Sequence, residues 1–185
     1  MIKETSKEWL INNFGTKYWV YNLRRALVNH PKLTGDVPKD IIETGTCHGL
    51  ITKIWSFQFD QVTTIETVPE LWATAVKYSS NRPNIKFVFG DSLATLRATL
   101  HLYEQRLVFF LNSNFNLTSS LEEELKAIKD CHKRADPIII IDESQNTNLS
   151  LDSIHQLVMA ISSEYVLEFL PFGTGIYLCY PQKKT

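Results

Sequence analysis

The stretch Glu43–Gly49, with the sequence ETGTCHG, restricts the possible folds of this chain more than any other. It follows the apolar pair Ile41–Ile42 and precedes a helical pattern that begins near Leu50. Gly45 and Gly49 carry no Cβ, so they permit positive φ angles and a close approach of a ligand to the backbone. A strand that turns into a helix in this way forms a pocket for a polar ligand. The stretch therefore predicts a nucleotide-like small-molecule ligand.

Strand-like and helix-like patterns alternate from about residue 37, which predicts βαβ units and a parallel sheet. The first five strand candidates are Asp40–Thr44, Gln61–Glu66, Ile85–Phe89, Leu107–Leu111 and Ile138–Ile141. All but the second are nearly continuous apolar runs, as expected when helices cover both faces of the sheet. The helix candidates are Leu50–Phe57, Pro69–Ser79, Leu93–Leu102, Leu121–His132 and Leu151–Ile161.

The two ends of the chain depart from this alternation. Tyr165–Leu170 and Gly175–Tyr180 are β-rich, and the short link between them permits an antiparallel pair but not a parallel crossover. The whole pattern predicts one α/β domain with a mostly parallel seven-stranded sheet and an antiparallel last strand. Residues 1–36 form a helical lead to the region 37–185, with helix candidates at Ser6–Asn12 and Tyr18–Asn29. Aromatic residues in this lead indicate core or interface packing rather than a cofactor box, and a minority interpretation makes the lead a lid over the site. A homodimer is possible.

Charge and cysteine content disfavour several classes of function. The chain has 19 basic and 20 acidic residues, and no basic stripe that would mark a nucleic-acid partner. Cys47, Cys131 and Cys179 are far apart and odd in number, which disfavours a disulfide framework or a zinc site. No signal-peptide pattern or apolar run of about 20 residues occurs, so we expect no membrane segment. We therefore expect a cytoplasmic protein with reduced thiols.

Polar residues follow each of the five parallel strand candidates. In a doubly wound sheet the ligand binds at the carboxyl ends of the strands, so these residues are expected to converge on one site. The positions are Glu43–Gly45, Glu66–Thr67, Gly90–Ser92, Asn112 and Asp142–Glu143.

Two of these strand ends have a simpler alternative explanation. Glu66, at the end of the second strand, can accept both hydroxyls of a ribose, or it is a solvated loop carboxylate. Asp91 and Ser92 can bind an adenine edge, or they cap the helix that we expect from Leu93. We expect Ser92 to act as a cap in either case.

The arrangement resembles the class I S-adenosylmethionine-dependent methyltransferases over roughly residues 37 to 181. The family's acid-x-Gly-x-x-x-Gly loop is matched by Glu43, Gly45 and Gly49, its ribose-binding acid by Glu66, and its adenine-side acid by Asp91. The resemblance implies a three-layer αβα, Rossmann-like fold with S-adenosylmethionine as the cofactor. The residues that it implies for the cofactor site are Glu43, Gly45, Thr46, Cys47, Gly49, Glu66, Thr67, Asp91 and Ser92.

The second half of the chain is similar to a narrower group, the small-molecule O-methyltransferases of the catechol, caffeoyl-CoA and sugar type. The similar stretches are Leu111–Asn114, Leu121–Glu124 and Ile141–Glu143. The resemblance implies methylation of an oxygen of a small-molecule acceptor, with Asn112 and Asp142 in the catalytic positions. It also implies a divalent cation such as Mg²⁺, with Asn112, Asp142 and Glu143 as its oxygen ligands.

Asn112 stands where the pattern of this group has Asp. An amide oxygen can coordinate a metal, but it brings no charge and cannot act as a general base near neutral pH. Two possibilities stay open: altered catalysis with weak or absent metal binding, or a catalytically silent module that still binds S-adenosylmethionine or S-adenosylhomocysteine. An NAD-dependent oxidoreductase is disfavoured, because GxGxxG beginning at Gly45 would need glycine where Cys47 stands.

Other polar side chains have less specific interpretations. His48 can contact the ligand or act as a base, but a histidine in a first helical turn is more often partly exposed. Cys47 lies near a helix N-terminus, which can lower a thiol pKa, but we interpret it as a small residue that fits the loop. We interpret Glu122–Glu124 as a favourable first helical turn. The histidines that we place on helix surfaces are His101, His132 and His155.

Overall fold

A computed structural model describes residues 20, 23–30, 33, 36–112, 121–134, 136–142, 149–170 and 175–182. The strands are β1 (Asp40–Thr44), β2 (Gln61–Glu66), β3 (Ile85–Phe89), β4 (Leu107–Leu111), β5 (Ile138–Asp142), β6 (Tyr165–Leu170) and β7 (Ile176–Pro181). The helices are α1 (Leu50–Trp55), α2 (Pro69–Tyr78), α3 (Ser92–Thr99), α4 (Leu121–Cys131) and α5 (Leu151–Ile161). A 3₁₀ turn, Leu100–Leu102, follows α3, and residues 23–28 are also helical.

The seven strands form one sheet in the order β3-β2-β1-β4-β5-β7-β6. β1 pairs in parallel with both β2 and β4, and the next pairs outward, β2 with β3 and β4 with β5, are also parallel. β7 runs antiparallel to its two neighbours, β5 and β6. The strand order reverses between β1 and β4, which is where doubly wound folds bind ligands. The predicted α/β fold, with its antiparallel last strand, is therefore confirmed.

The sheet buries a separate apolar cluster on each face, because successive residues of a strand point to opposite sides. One cluster joins β1, β4 and β5 to α1 and residues 23–28, and it includes Ile41, Val108, Ile140, Trp55 and Leu27. The other joins the same strands to α3, α4 and α5, and it includes Ile42, Phe109, Ile141, Leu96, Leu125 and Ile154. Burial of each such side chain contributes about 1.5–3 kcal/mol, so the central strands form the most stable part of the fold.

Several sequence-based boundaries differ from the structure. Ile85–Phe89 is not covered on both faces as predicted, because β3 is the outer strand of the sheet and Phe89 is 53% exposed. α1 ends at Trp55 rather than Phe57, and α3 begins at Ser92 rather than Leu93. The Ser6–Asn12 helix candidate lies outside the described residues.

The described part of Tyr18–Asn29 agrees with the helix prediction at residue 20 and residues 23–28. Leu23, Ala26 and Leu27 are buried in the same cluster as β1 and β4, so this part of the lead packs on the sheet. Within the described ranges, no helix combines the length and the apolar character that a bilayer span requires.

Candidate functional site

The carboxyl ends of β1 to β4 remain joined by backbone hydrogen bonds just beyond the strands, and we call this side of the sheet the carboxyl edge. The amide of Gly45 donates to the carbonyl of Ile65 at 3.0 Å, and that of Gly90 donates to the carbonyl of Glu66 at 2.9 Å. The amide of Asn112 donates to the carbonyl of Thr44 at 3.2 Å. These polar strand ends are therefore neighbours, as predicted.

The loop between β1 and α1 contains three residues with positive φ: Gly45 at 79°, Cys47 at 50° and Gly49 at 76°. For Cys47 this left-handed conformation costs about 1–2 kcal/mol, since its Cβ crowds the following carbonyl. A Cβ on Gly49 would lie 2.8 Å from the Cβ of Ala75 in α2. Glycine at position 49 thus allows α2 to pack directly against the loop.

Glu66 is buried at the end of β2, and three backbone amides bind its carboxylate. Oε2 accepts from the amide of Cys47 at 2.8 Å, and Oε1 accepts from those of Thr67 and Val68 at 2.9 Å each. The interpretation as a solvated loop carboxylate is therefore wrong. A carboxylate offers about four lone pairs, so these bonds leave one on Oε2 for a ligand hydroxyl.

The carboxylate of Glu43 is buried between α1 and β2. The hydroxyl of Thr52 donates to it, and that of Thr64 donates at 2.7 Å. Burial raises the pKa of Glu43 to about 7, because the apolar surroundings disfavour the charged form more than the hydrogen bonds from Thr52, Thr64 and Trp55 favour it. The side chain thus holds α1 against the sheet, and its contact with a ligand stays a prediction.

The thiol of Cys47 is less acidic than an ordinary cysteine. Its pKa is raised to about 11 by burial and by the negative charges of Glu66 and Glu43. The helix N-terminus therefore does not lower this pKa, and the interpretation of Cys47 as a small residue that fits the loop is retained. His48 is exposed as expected, but it lies in the turn before the N-cap Gly49 and not in the first turn of α1.

Asp91 and Ser92 have different roles at the end of β3. Asp91 is the N-cap of α3, and its Oδ2 accepts from the amide of Ala94 at 2.7 Å. Its Oδ1 is buried and has no hydrogen-bond partner in the part of the chain that the structure describes. Ser92 is not the cap that we predicted, because its hydroxyl donates to Glu124 Oε1 at 2.6 Å.

Asn112 is 8% exposed at the end of β4. The backbone N–H of Asn112 also donates to the hydroxyl of Thr44 at 3.2 Å, and this bond joins the ends of β4 and β1. Its side-chain oxygen is buried without a hydrogen-bond partner among the described residues. Such an acceptor costs about 1–3 kcal/mol, and a hydroxyl or amine donor from a ligand would remove that cost. Asp142 is half-buried at the end of the neighbouring strand, and Glu143 lies outside the described residues.

Glu124 is the residue of this region that the sequence interpretation missed. Glu122–Glu124 form the acidic first turn of α4 as predicted, but the side chain of Glu124 is fully buried and bound by the hydroxyls of Thr44 and Ser92. Its spacing contained the signal, since it lies on the same helical stripe as Leu121, Leu125 and Ile128.

The three helical histidines differ in their surroundings. His101 and His155 are exposed, as predicted. His132 is buried beside Phe109, with ring centroids 5.7 Å apart, so its surface assignment is wrong. Burial lowers the pKa of His132, because the charged form loses hydration.

Two cavities border the sheet. One of about 360 Å³ lies between α5, β6 and β7, and its lining is Leu151, Asp152, His155, Leu167, Phe169 and Tyr177. The other, of about 630 Å³, lies at the amino ends of β1 and β4, and its lining includes Asp40, Asp60, Arg106 and Asp136. The described residues contain no group of three or more His, Cys, Asp or Glu side chains that would hold a metal ion.

No protein-family model matches this sequence, and no curated protein is significantly similar to it. Solved structures of similar fold include CalS10 with bound S-adenosylmethionine, an amino pentose methyltransferase from Micromonospora echinaspora. It is 8% identical, with a TM-score of 0.62 over 98% of this chain and 97% of that one.

Two other similar structures extend the comparison. The methyltransferase PaMTH1 of Podospora anserina, bound to S-adenosylhomocysteine, is 16% identical, with a TM-score of 0.59 over 97% of this chain and 87% of that one. An rRNA methylase from Streptococcus thermophilus is 10% identical, with a TM-score of 0.56 over 90% of this chain and 96% of that one. The chain therefore has the Rossmann-like fold of S-adenosylmethionine-dependent methyltransferases.

Proposed function

We propose that this protein transfers a methyl group from S-adenosylmethionine to an oxygen of a small molecule. The observation that carries the proposal is the row of buried acceptor oxygens along the carboxyl edge, on Glu66, Asp91 and Asn112. They occur in a fold whose similar structures include methyltransferases bound to S-adenosylmethionine and S-adenosylhomocysteine.

The residues at the carboxyl edge fit an adenosyl group. The remaining lone pair of Glu66 Oε2 would accept a hydrogen bond from one ribose hydroxyl. To accept from both hydroxyls, Glu66 would have to lose its hydrogen bond from the backbone amide of Cys47. The buried Oδ1 of Asp91 would accept from the adenine amino group. Gly45, Thr46 and Gly49, with Cys47 and Thr67 beside Glu66, would bind the methionine end.

Asn112 and Asp142 would act on the acceptor side. When bound, S-adenosylmethionine supplies a methyl group on a sulfonium, which becomes a neutral thioether as the methyl moves to the acceptor oxygen. The amide oxygen of Asn112 would orient the acceptor hydroxyl by accepting its hydrogen bond, but it cannot take the proton. The carboxylate of Asp142 would take that proton. The protein otherwise contributes alignment of the two reactants.

The acceptor is proposed to be a small molecule rather than RNA. The cavity between α5, β6 and β7, at about 360 Å³, is at the lower end of the range for small-molecule sites. One structure of similar fold is an rRNA methylase, but a net charge of −1 disfavours a polyanionic partner here. We also propose that the protein is cytoplasmic and that it forms a homodimer.

Magnesium fits the described donors only in part. Asn112 and Asp142 supply two oxygen ligands with one negative charge between them, whereas Mg²⁺ usually binds carboxylates in octahedral geometry. Glu143 would be the third ligand. We therefore assign no step of the reaction to a metal ion.

Calorimetric titration with S-adenosylmethionine and S-adenosylhomocysteine tests the cofactor. We expect both to bind, and we expect Glu66→Gln to weaken binding at least tenfold, because it exchanges an acceptor oxygen for a donor. Glu70→Gln, on the exposed first turn of α2, is the matched control and should change affinity less than twofold. Binding of NAD without either adenosyl compound would favour an oxidoreductase instead.

A turnover screen with catechol, sugar and hydroxy-acid acceptors, followed by mass spectrometry, tests the reaction. Asn112 favours a second candidate, a silent S-adenosylmethionine-binding module, because it stands where the related enzymes carry an acid. Tight binding with no methylated product from any acceptor would support that second candidate. In that case we expect Asn112→Asp to increase Mg²⁺ affinity, since it restores the missing charge.

A further inference from the structure

Glu124 is a fully buried carboxylate that the proposed reaction does not use. Oε1 accepts from the hydroxyl of Ser92 at 2.6 Å, and Oε2 accepts from the hydroxyl of Thr44 at 3.4 Å. Removing a carboxyl group from water is costly unless it is hydrogen-bonded, and an apolar side chain would pack here without that cost. Packing of α4 therefore does not account for an acid at this position.

The two hydroxyls bound to Glu124 belong to opposite halves of the candidate site. Ser92 directly follows Asp91, at the end that would receive adenine. Thr44 is the last residue of β1, and its hydroxyl also accepts from the amide of Asn112 at 3.2 Å, on the acceptor side. A continuous chain of hydrogen bonds thus runs from Ser92 through Glu124 and Thr44 to Asn112.

We propose that Glu124 is a positioning residue that holds the adenine end and the acceptor end of the site in a fixed relation. It touches neither ligand and acts through Ser92 and Thr44. The identity of the ligands rests on the proposed function, whereas the positioning itself is a property of the free protein.

The first experiment uses the ligand-free protein. In Glu124→Gln we expect the backbone amide NMR signals of Thr44, Ser92 and Asn112 to shift together, because one acceptor oxygen is replaced by an NH₂ donor. Glu123→Gln, on the exposed side of the same helix, is the matched control and should leave all three unshifted. Shifts confined to α4 in Glu124→Gln would overturn the proposal, whether or not the protein binds S-adenosylmethionine.

The second experiment separates positioning from a structural role. Glu124→Gln keeps the volume and can still bond both hydroxyls, as acceptor to one and donor to the other, so we expect the melting temperature to stay nearly unchanged. We expect the Kd for S-adenosylhomocysteine to increase at least fivefold in the same variant. Parallel loss of melting temperature and affinity, or unchanged affinity, would contradict a positioning role. A wild-type protein that does not bind S-adenosylhomocysteine would refute the proposed function and leave the NMR result as the test of positioning.

Discussion

At the scale of single residues, burial decides what the polar side chains of the carboxyl edge can do. Glu43, Glu66 and Glu124 are all buried carboxylates, yet each binds different donors. Glu66 is bound by backbone amides, whereas Glu124 is bound by the hydroxyls of Thr44, at the end of β1, and Ser92, in the first turn of α3. Glu43 is bound by the hydroxyls of Thr52 and Thr64, and burial raises its pKa to about 7. Because their hydrogen-bond donors differ, each carboxyl group can be tested by its own substitution.

Glu43 should make stability fall as the pH rises from about 4.5 to 7. Its pKa is raised from 4.5 to about 7, so in this window the folded protein holds a proton that the unfolded chain has released. A shift of this size corresponds to about 3 kcal/mol. We expect Glu43→Gln to remove this slope, so that thermal melts of the two proteins diverge between pH 5 and 7. Parallel pH profiles would show that Glu43 ionises normally.

The two oxygens of Asp91 have different roles: Oδ2 caps α3, and Oδ1 is a buried acceptor. One substitution should separate these roles. Asparagine caps helices as well as aspartate, so Asp91→Asn should change the free energy of unfolding by less than about 0.5 kcal/mol. We expect its affinity for S-adenosylhomocysteine to fall about tenfold, because the second oxygen is replaced by a donor. Asp91→Ala is the comparison that should lose both stability and affinity. Unchanged affinity in Asp91→Asn would place the adenine elsewhere.

At the scale of elements, the strands were predictable from their own sequence, and their surroundings were not. Apolar runs bounded by polar residues correctly predicted where β1 and β4 begin and end. Whether a run lies in the centre or at the side of the sheet depends on strand order, so the exposure of Phe89 was missed. The burial of Glu124 and His132 was missed for a related reason, since it depends on how α4, and the residue that follows its end, pack on the sheet.

The contact between the glycine loop and α2 can be measured with a double-mutant cycle. Gly49→Ala should destabilise the protein by at least about 1–2 kcal/mol, from the left-handed backbone alone, and more from contact with Ala75. Ala75→Gly should cost about 1 kcal/mol as a helix substitution. In urea unfolding we expect the double variant to be less destabilised than the sum by about 1 kcal/mol. Strict additivity would mean that the two positions do not touch.

At the scale of the whole molecule, stability is concentrated in the middle of the sheet and the candidate site lies beside it. β4 is buried along its whole length, whereas β3 and β6 at the sides are only partly covered. The reversal of strand order next to β1 places the glycine loop against this rigid centre. The fold class could be predicted because alternation and the short C-terminal link allow few topologies. The site could be predicted only as a set of strand ends, because its hydrogen bonds join residues far apart in sequence.

Amide hydrogen exchange should reflect this distribution. We expect the slowest exchange in β1, β4 and β5, and exchange at least tenfold faster in β3 and β6, because partly covered outer strands open locally. Mass spectrometry of peptic fragments measures both groups in one experiment. Uniform protection across all seven strands would contradict a stability gradient.

The environment of Cys47 lowers the reactivity of its thiol towards oxidants. With a pKa of about 11, roughly one thiol in ten thousand is ionised at neutral pH, and the thiolate is the form that peroxides and alkylating reagents attack. Burial, and secondly the Glu66 carboxylate that would bind a ribose hydroxyl, thus keep this sulfur unreactive. We therefore expect Cys47 to resist oxidation and alkylation, although it lies in the middle of the loop between β1 and α1.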